Sequence, residues 1–403
     1  MIDNKQIEAW LTEGTITKEQ ADKMLQDASE NQKTESSNKF ITAISTIGAI
    51  LLGVGAILFI ASNWETIPDL IKTIILVGST FGSYYAGYNF KYQKKNLPKV
   101  GSSLLFLGGI FFGATLFLLA QIYHIEANNH TIVLLWLISI LPFVYAFTSV
   151  EMAGLAALLF YIWITLFALG DTSLSIFGFS GSSGAGNFFY LPVLYLISGI
   201  ALFGIGGLHY FSDRLKKVAR IFRLSGLRVA MMALFLLSFR FFSGNYDGYS
   251  IKGEALPSEG FAIMLAILVV LAAITVFVNI MYNPAKSISP HIEYYTALVL
   301  AVLGLIFFNF PTDNNFYVLL FNLVLAGLIF LLLQQGYLRQ DMAIVNLGIS
   351  FFVIFIIAKY FDFFWGLLDR SVFFIVGGMI LVAGAVFLEG KRREIRTRFT
   401  QNK

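Results

Sequence analysis

The 403-residue chain is 57% hydrophobic, only 13% charged, carries a formal net charge of +4 and contains no cysteine. Soluble domains carry about 25% charged residues, and soluble cores stop growing near about 250–300 residues, so this much apolar sequence is expected in a bilayer. Without cysteine there is no disulfide framework, thiolate metal site or cysteine nucleophile. A small basic excess in such a chain reads as membrane topology, not as nucleic-acid binding.

Residues 1–36 are polar and acidic, and two short helices are expected there. Ile7, Trp10 and Leu11 share a helical face, and Gly14 is placed to stop that helix. Thr17 and Gln20 have capping-box spacing, with Ala21, Met24 and Leu25 continuing the second helix on one face. So small a pair buries too little to stand alone. It is expected to dock on the membrane domain or on a protein partner, with residues 28–39 as a polar linker. No cleavable signal peptide is expected, so the first membrane helix serves as the targeting signal.

Apolar runs follow at Phe40–Ser62, Leu70–Phe90, Val100–Tyr123, Thr131–Ser149, Met152–Gly170, Phe188–Tyr210, Ser225–Ser243, Gly260–Met281, Tyr294–Phe308, Asn315–Gln334, Met342–Phe361 and Ser371–Leu388. Most approach the roughly 20 residues that a membrane helix needs, and they are continuous where a β-barrel strand would alternate. The expected fold is all-α, a polytopic helical membrane bundle of about 12 transmembrane helices. The range is 10–12, because the ninth run is short and the Val150-Glu151 connection is thin. The domain reading is a cytoplasmic helix pair and linker (1–36), a transmembrane domain (40–389) and a basic cytoplasmic tail (390–403).

Alternate connections are rich in lysine and arginine. One set holds Lys91, Lys94, Lys95 and Lys99, then Arg214, Lys216, Lys217, Arg220 and Arg223, then Lys286 and Arg339, and the tail adds more. The other set holds Lys252, with Lys72 and Arg370 at helix edges. The positive-inside rule then puts both termini in the cytoplasm, and the expected location is the bacterial cytoplasmic (inner) membrane. Gly78 and Gly82, and Gly109 and Gly113, are spaced for close helix packing.

On the expected outer side, polar residues gather near helix ends. Asn63, Trp64, Glu65 and Asp69 lie in the first outer turn, and Gln121, Tyr123, His124, Glu126 and His130 in the second. Arg240 ends the seventh run, and Lys359, Asp362, Asp369 and Arg370 flank the last outer turn. Gln121 and His124, three apart, share a helical face. Ionisable groups in a membrane are costly and usually paired, so Gln121, His124 and Arg240 are expected to point into the bundle and frame an outward-facing polar vestibule. The alternative is interfacial anchoring, the ordinary role of Trp64, Tyr123 and Trp365. Zinc wants three or four ligands, which the histidines do not supply, so no metal and no cofactor is expected. No phosphate loop, nucleophile turn or zinc helix occurs, and no catalytic residue is assigned.

Four stretches carry a family resemblance: Trp10-Leu-x-x-Gly14-x-Ile16-x-x-x-Gln20-Ala, Phe59-Ile-Ala-Ser-Asn63-Trp64, Ala120-Gln121-Ile-Tyr123-His124, and Lys359-Tyr-Phe-Asp362 through Asp369-Arg370 to Gly377-Gly378 and the basic tail. In these the chain resembles the bacterial predicted membrane proteins grouped as domain-of-unknown-function 2157. The resemblance implies membrane location and draws attention to Asn63, Trp64, Gln121, Tyr123 and His124, but supplies no reaction.

The functional expectation is transport of a small solute or lipid precursor, or an accessory role to it, with Asn63, Trp64, Glu65, Gln121, Tyr123, His124 and Arg240 as ligand-binding residues. A non-catalytic membrane scaffold or sensor working through residues 1–36 is the alternative. A lipid-linked transferase acting through Glu65 and Asp69 is disfavoured by the shortness of that loop. The expected partners are the lipid bilayer, a small-molecule or lipid ligand and a protein partner for the helix pair.

Overall fold

The structure, a computed structural model, describes residues 66–125, 128–169, 185–243, 257–282, 290–312 and 315–364, with short pieces within 17–62 and 374–390. Among the described residues it is all helical, and eight helices are long and apolar enough to cross a membrane. The long helices are α1 (Asp69–Tyr88), α2 (Pro98–Ile122), α3 (Asn129–Phe147), α4 (Val150–Leu169), α5 (Ala185–Leu208), α6 (Lys216–Leu237), α7 (Glu259–Tyr282), α8 (Pro290–Asn309), α9 (Phe316–Leu338) and α10 (Met342–Phe364). They coincide with the second to eleventh apolar runs. Much of the first and twelfth runs, most of residues 1–36 and nearly all of the tail lie outside the described residues. In the N-terminal segment, Thr17 Oγ1 accepts from the Gln20 amide (3.3 Å) and Gln20 Oε1 from the Thr17 amide (3.0 Å), the reciprocal bonds of a capping box.

The helices divide into two compact units, residues 1–127 and 128–403, a boundary that the sequence reading does not contain. In the first, α1 packs on α2. A β-carbon at Gly87 would lie 2.8 Å from the Leu105 amide nitrogen, and one at Gly101 2.7 Å from that of Lys91, so the two backbones touch where both residues lack side chains. The Gly78–Gly82 pair that the spacing singles out has nothing within 4 Å among the described residues. Spacing identifies a smooth helix face but not its partner. Thr80 and Thr115 bond across the same interface at 3.0 Å, satisfying hydroxyls that lipid would leave bare.

The second unit is built on α5, whose buried Val193, Leu194, Ile197, Ile200 and Ala201 meet several neighbours at once. Gly199 of α5 faces Gly226 of α6, and a β-carbon on Gly199 would lie 2.7 Å from the Gly226 carbonyl oxygen. Asn279 of α7 donates to Gly204 of α5 (2.9 Å) and accepts from Tyr294 of α8 (3.0 Å). At the other end of α5, Asn187 donates to the Ala168 carbonyl of α4 (2.9 Å) and accepts from the Ser258 amide before α7 (2.8 Å). These buried amides fix α4, α5, α7 and α8 at two heights. The thin Val150-Glu151 connection is a true turn. Thr148 takes φ 47°, and Ser149 Oγ accepts from the Met152 amide (3.4 Å) and donates to Glu151 (2.7 Å). Outward faces stay apolar: Val299 of α8 is 56% exposed and Phe330 of α9 70%. That is the pattern expected where lipid is the solvent.

Candidate functional site

Of the residues singled out for the vestibule, Asn63, Trp64 and Glu65 lie outside the described residues, as does Glu126. Gln121 and His124 are exposed, and so is Arg240, which opens a short helical turn, Arg240–Ser243. None of these three is buried, and residues 63–65 of the first outer turn expected beside them lie outside the described residues. The local backbone explains His124. It adopts φ 51°, its amide bonds the Gln121 carbonyl (3.3 Å) and the Ile125 amide bonds the Ala120 carbonyl (2.9 Å). This is a Schellman stop, with histidine where glycine usually sits. The Tyr123 hydroxyl lies 3.3 Å from that of Thr73, tying the end of α2 to the start of α1.

At one end of the second unit, near the finish of α6, the Ser238 carbonyl accepts from Asn322 Nδ2 (2.8 Å) and from Lys359 Nζ (2.7 Å). The Lys359 ammonium also lies 3.9 Å above the Phe239 ring and 3.4 Å from Asp362. A buried cation at a helix C-terminus is favoured by the helix dipole, so the contact locks α6, α9 and α10 together.

The opposite end, where α5 and α9 finish and α6, α8 and α10 start, holds a cavity of about 300 Å³. Its polar wall is Arg220, Arg223, Glu293, Gln335, Arg339 and Asp341. The sequence sets each charge locally. Pro290 opens α8 and leaves Glu293 in the first turn, where a carboxylate is favoured. α9 ends in a second Schellman stop: Gln340 takes φ 53°, its amide bonds the Tyr337 carbonyl (3.2 Å), and the Asp341 amide bonds the Gly336 carbonyl (3.0 Å). That turn leaves Arg339 capping α9, while Asp341 Oδ1 accepts from the Ala343 amide (2.9 Å) at the start of α10.

The charges then meet across the bundle. Glu293 Oε2 accepts from Arg223 at 2.7 Å, and its Oε1 accepts from Arg339. All three side chains are 12–13% exposed. Arg220 pairs with Asp341 at 2.8 Å nearer the surface. The Arg223 guanidinium lies 4.8 Å from the Phe203 ring centroid and 5.6 Å from that of Tyr210. Arginine stays protonated in proteins, so three arginines face two carboxylates, with one positive charge uncompensated. The Arg339 Nε is buried with no hydrogen-bond partner among the described residues.

Charge counting treats Arg220, Arg223 and Arg339 only as topology markers and passes over Glu293. The available signal was a lone carboxylate opening a helix among basic connections. Among the described residues, no cluster of three or more histidine or acidic side chains is placed to hold a metal. The wall carries more positive than negative side chains, with no base beside a nucleophile among the described residues.

All-helical architecture, eight spans able to cross a bilayer and outward apolar faces define a multi-pass helical membrane protein. Residues 8–153 match the family described as Predicted membrane protein (DUF2157). The match contains the first three stretches of the resemblance, with Asn63, Trp64, Gln121, Tyr123 and His124, and ends before the arginine cavity. No curated protein matches the chain, and no solved structure does.

Proposed function

We propose that this protein transports, or assists the transport of, a small anionic solute or lipid precursor, and that the arginine cavity rather than an outer vestibule is where the cargo binds. The observation carrying this is the convergence of Arg220, Arg223 and Arg339 on a cavity of about 300 Å³. That volume is at the lower end of the roughly 300–1,000 Å³ typical of small-molecule sites. A buried Arg–Glu–Arg group is weak evidence for stability, since desolvation offsets much of the attraction. Its excess positive charge suits it to meet an anion. The basic connections favour a cytoplasmic position for this end, with both termini on the same side, in a bacterial inner membrane. Residues 1–36 fit a contact module for a protein partner.

The test is reconstitution of the full chain into phosphatidylcholine vesicles. One arm follows uptake of glycerol 3-phosphate, the other transbilayer movement of a fluorescent phosphatidylglycerol. The protein should accelerate at least one above protein-free vesicles, and Arg339→Gln should slow it. Rates equal to protein-free vesicles in both arms would refute the transport reading.

A further inference from the structure

We infer that the arginine cavity is the headgroup end of a site for one anionic membrane lipid, the start of whose acyl chain enters an apolar slot lined by α5, α6, α8 and α9. The inference rests on the reading that the cavity is a binding site, and it names the ligand class.

The slot is a second, apolar cavity of about 50 Å³ that shares Phe203, Leu227, Glu293, Leu331 and Leu332 with the first, so the two adjoin. Small residues of three helices, Gly199, Ala230 and Ala297, make room along it, and Leu300 and Leu328 line its flanks. α8 and α9 touch where Phe307 meets Tyr317 (5.0 Å between ring centroids) and Phe321 (5.6 Å). Nearer the arginines the slot lies against both, lined by Ala297 and Leu300 of α8 and by Leu328 and Leu332 of α9. From Glu293 to Leu300 the helix rises about 10 Å at 1.5 Å per residue, which lies within a single leaflet of about 15 Å, half the hydrocarbon thickness.

The chemistry along this path changes once. At the mouth are the guanidiniums and their excess charge. Beyond Glu293, the polar side chain on the wall is Thr296, whose hydroxyl already donates to the Ile292 carbonyl at 2.6 Å. A free phosphate or sugar phosphate would use the mouth and leave the slot empty. A phospholipid uses both, its phosphate meeting the arginines and the first methylenes of a chain replacing the contacts that a void forfeits. Leu298 and Val299, beside the slot on α8, are 43% and 56% exposed, so this helix has an apolar face turned outward next to it. Basic pockets between membrane helices are the expected receptors for anionic headgroups.

The experiment is equilibrium binding to the purified full chain in mild detergent. Phosphatidylglycerol, phosphatidylcholine and glycerol 3-phosphate are titrated separately, read by the shift in unfolding temperature and by lipid retention in native mass spectrometry. Phosphatidylglycerol should raise the unfolding temperature and stay bound, and the other two should do neither. Arg339→Gln should weaken phosphatidylglycerol roughly fivefold, the equivalent of about 1 kcal/mol for one basic residue facing an anionic lipid. Ala297→Trp should abolish lipid retention by filling the slot, and Ala297→Val, a gentler change, should reduce it if the tryptophan variant does not fold. Equal retention of phosphatidylcholine would overturn the headgroup assignment. An equal shift with glycerol 3-phosphate would overturn the slot while leaving an anion site standing. No response to any of the three would remove the lipid site altogether. Binding of phosphatidylglycerol without transbilayer movement would sink only the transport reading.

Discussion

Glu293 is the residue on which the arginine cavity depends, and Glu293→Gln tests that with almost no change in volume. In the native chain its two carboxylate oxygens accept separately, Oε2 from Arg223 at 2.7 Å and Oε1 from Arg339. A glutamine offers one acceptor and turns an amide donor toward a second donor. Removing one partner of a buried ion pair costs about 3–5 kcal/mol. The cavity admits some relaxation of the freed arginines, so the expected loss is about 2–3 kcal/mol. Thermal and denaturant unfolding in the same detergent, with the double variant Glu293→Gln/Arg339→Gln, measures it. The pair should couple by about 1–2 kcal/mol, as contacting charged residues do. A loss under about 0.5 kcal/mol, the range of surface changes, would refute the claim that this triad is a buried unit. An apolar triple replacement, Arg223→Met, Glu293→Leu and Arg339→Leu, should regain stability but lose phosphatidylglycerol retention, separating what the charges do for the fold from what they do for a ligand.

Further outcomes are expected elsewhere. His124→Gly should stabilise by about 0.5–1 kcal/mol, because φ 51° suits glycine, whereas His124→Val should destabilise; a loss with glycine would mean that the imidazole itself matters. Gly199→Ala should cost about 1–3 kcal/mol in unfolding measurements, since its β-carbon would lie 2.7 Å from the Gly226 carbonyl oxygen and 2.8 Å from the Ala230 amide, both backbone atoms; a neutral result would refute the close α5–α6 crossing. Lys359→Met with Asn322→Leu should lose more stability together than the sum of the two single changes, because only the pair strips the Ser238 carbonyl of both side-chain donors; strict additivity would count against the lock. The chain has no native cysteine, so Ser182→Cys should react with an impermeant thiol reagent in intact spheroplasts and Ser212→Cys should not; the reverse pattern would invert the proposed orientation.

The helices were legible where the bilayer alone dictates them. A run of about 20 apolar residues has few other ways to satisfy its backbone in lipid, and the runs from Leu70 to Phe361 reappear as α1 to α10. α6 starts at Lys216 rather than near Ser225 because its first turns face the arginine cavity and need not be apolar. Contacts were less legible, since a glycine step tells nothing of what crosses it: Gly78 and Gly82 have nothing within 4 Å among the described residues, while Gly199 and Gly226, on different helices, meet. The polar cluster at Gln121–His124 also ends a helix, with His124 held by backbone geometry that its sequence neighbours do not signal.

The arginine cavity was hidden for a different reason. Its bonds join Arg223 to Glu293 across 70 residues and Arg339 to Glu293 across 46, and no local spacing encodes such pairing. A tally of basic residues made Arg220, Arg223 and Arg339 look alike. An arginine in a loop orients the chain while remaining in water, and it needs no carboxylate. One turned inward between helices gives up its hydration and must find compensation. Glu293 can neutralise only one of the two arginines it binds, and the remaining charge, with a buried Nε still unpaired among the described residues, is the basis of the anion site proposed for this end of the bundle.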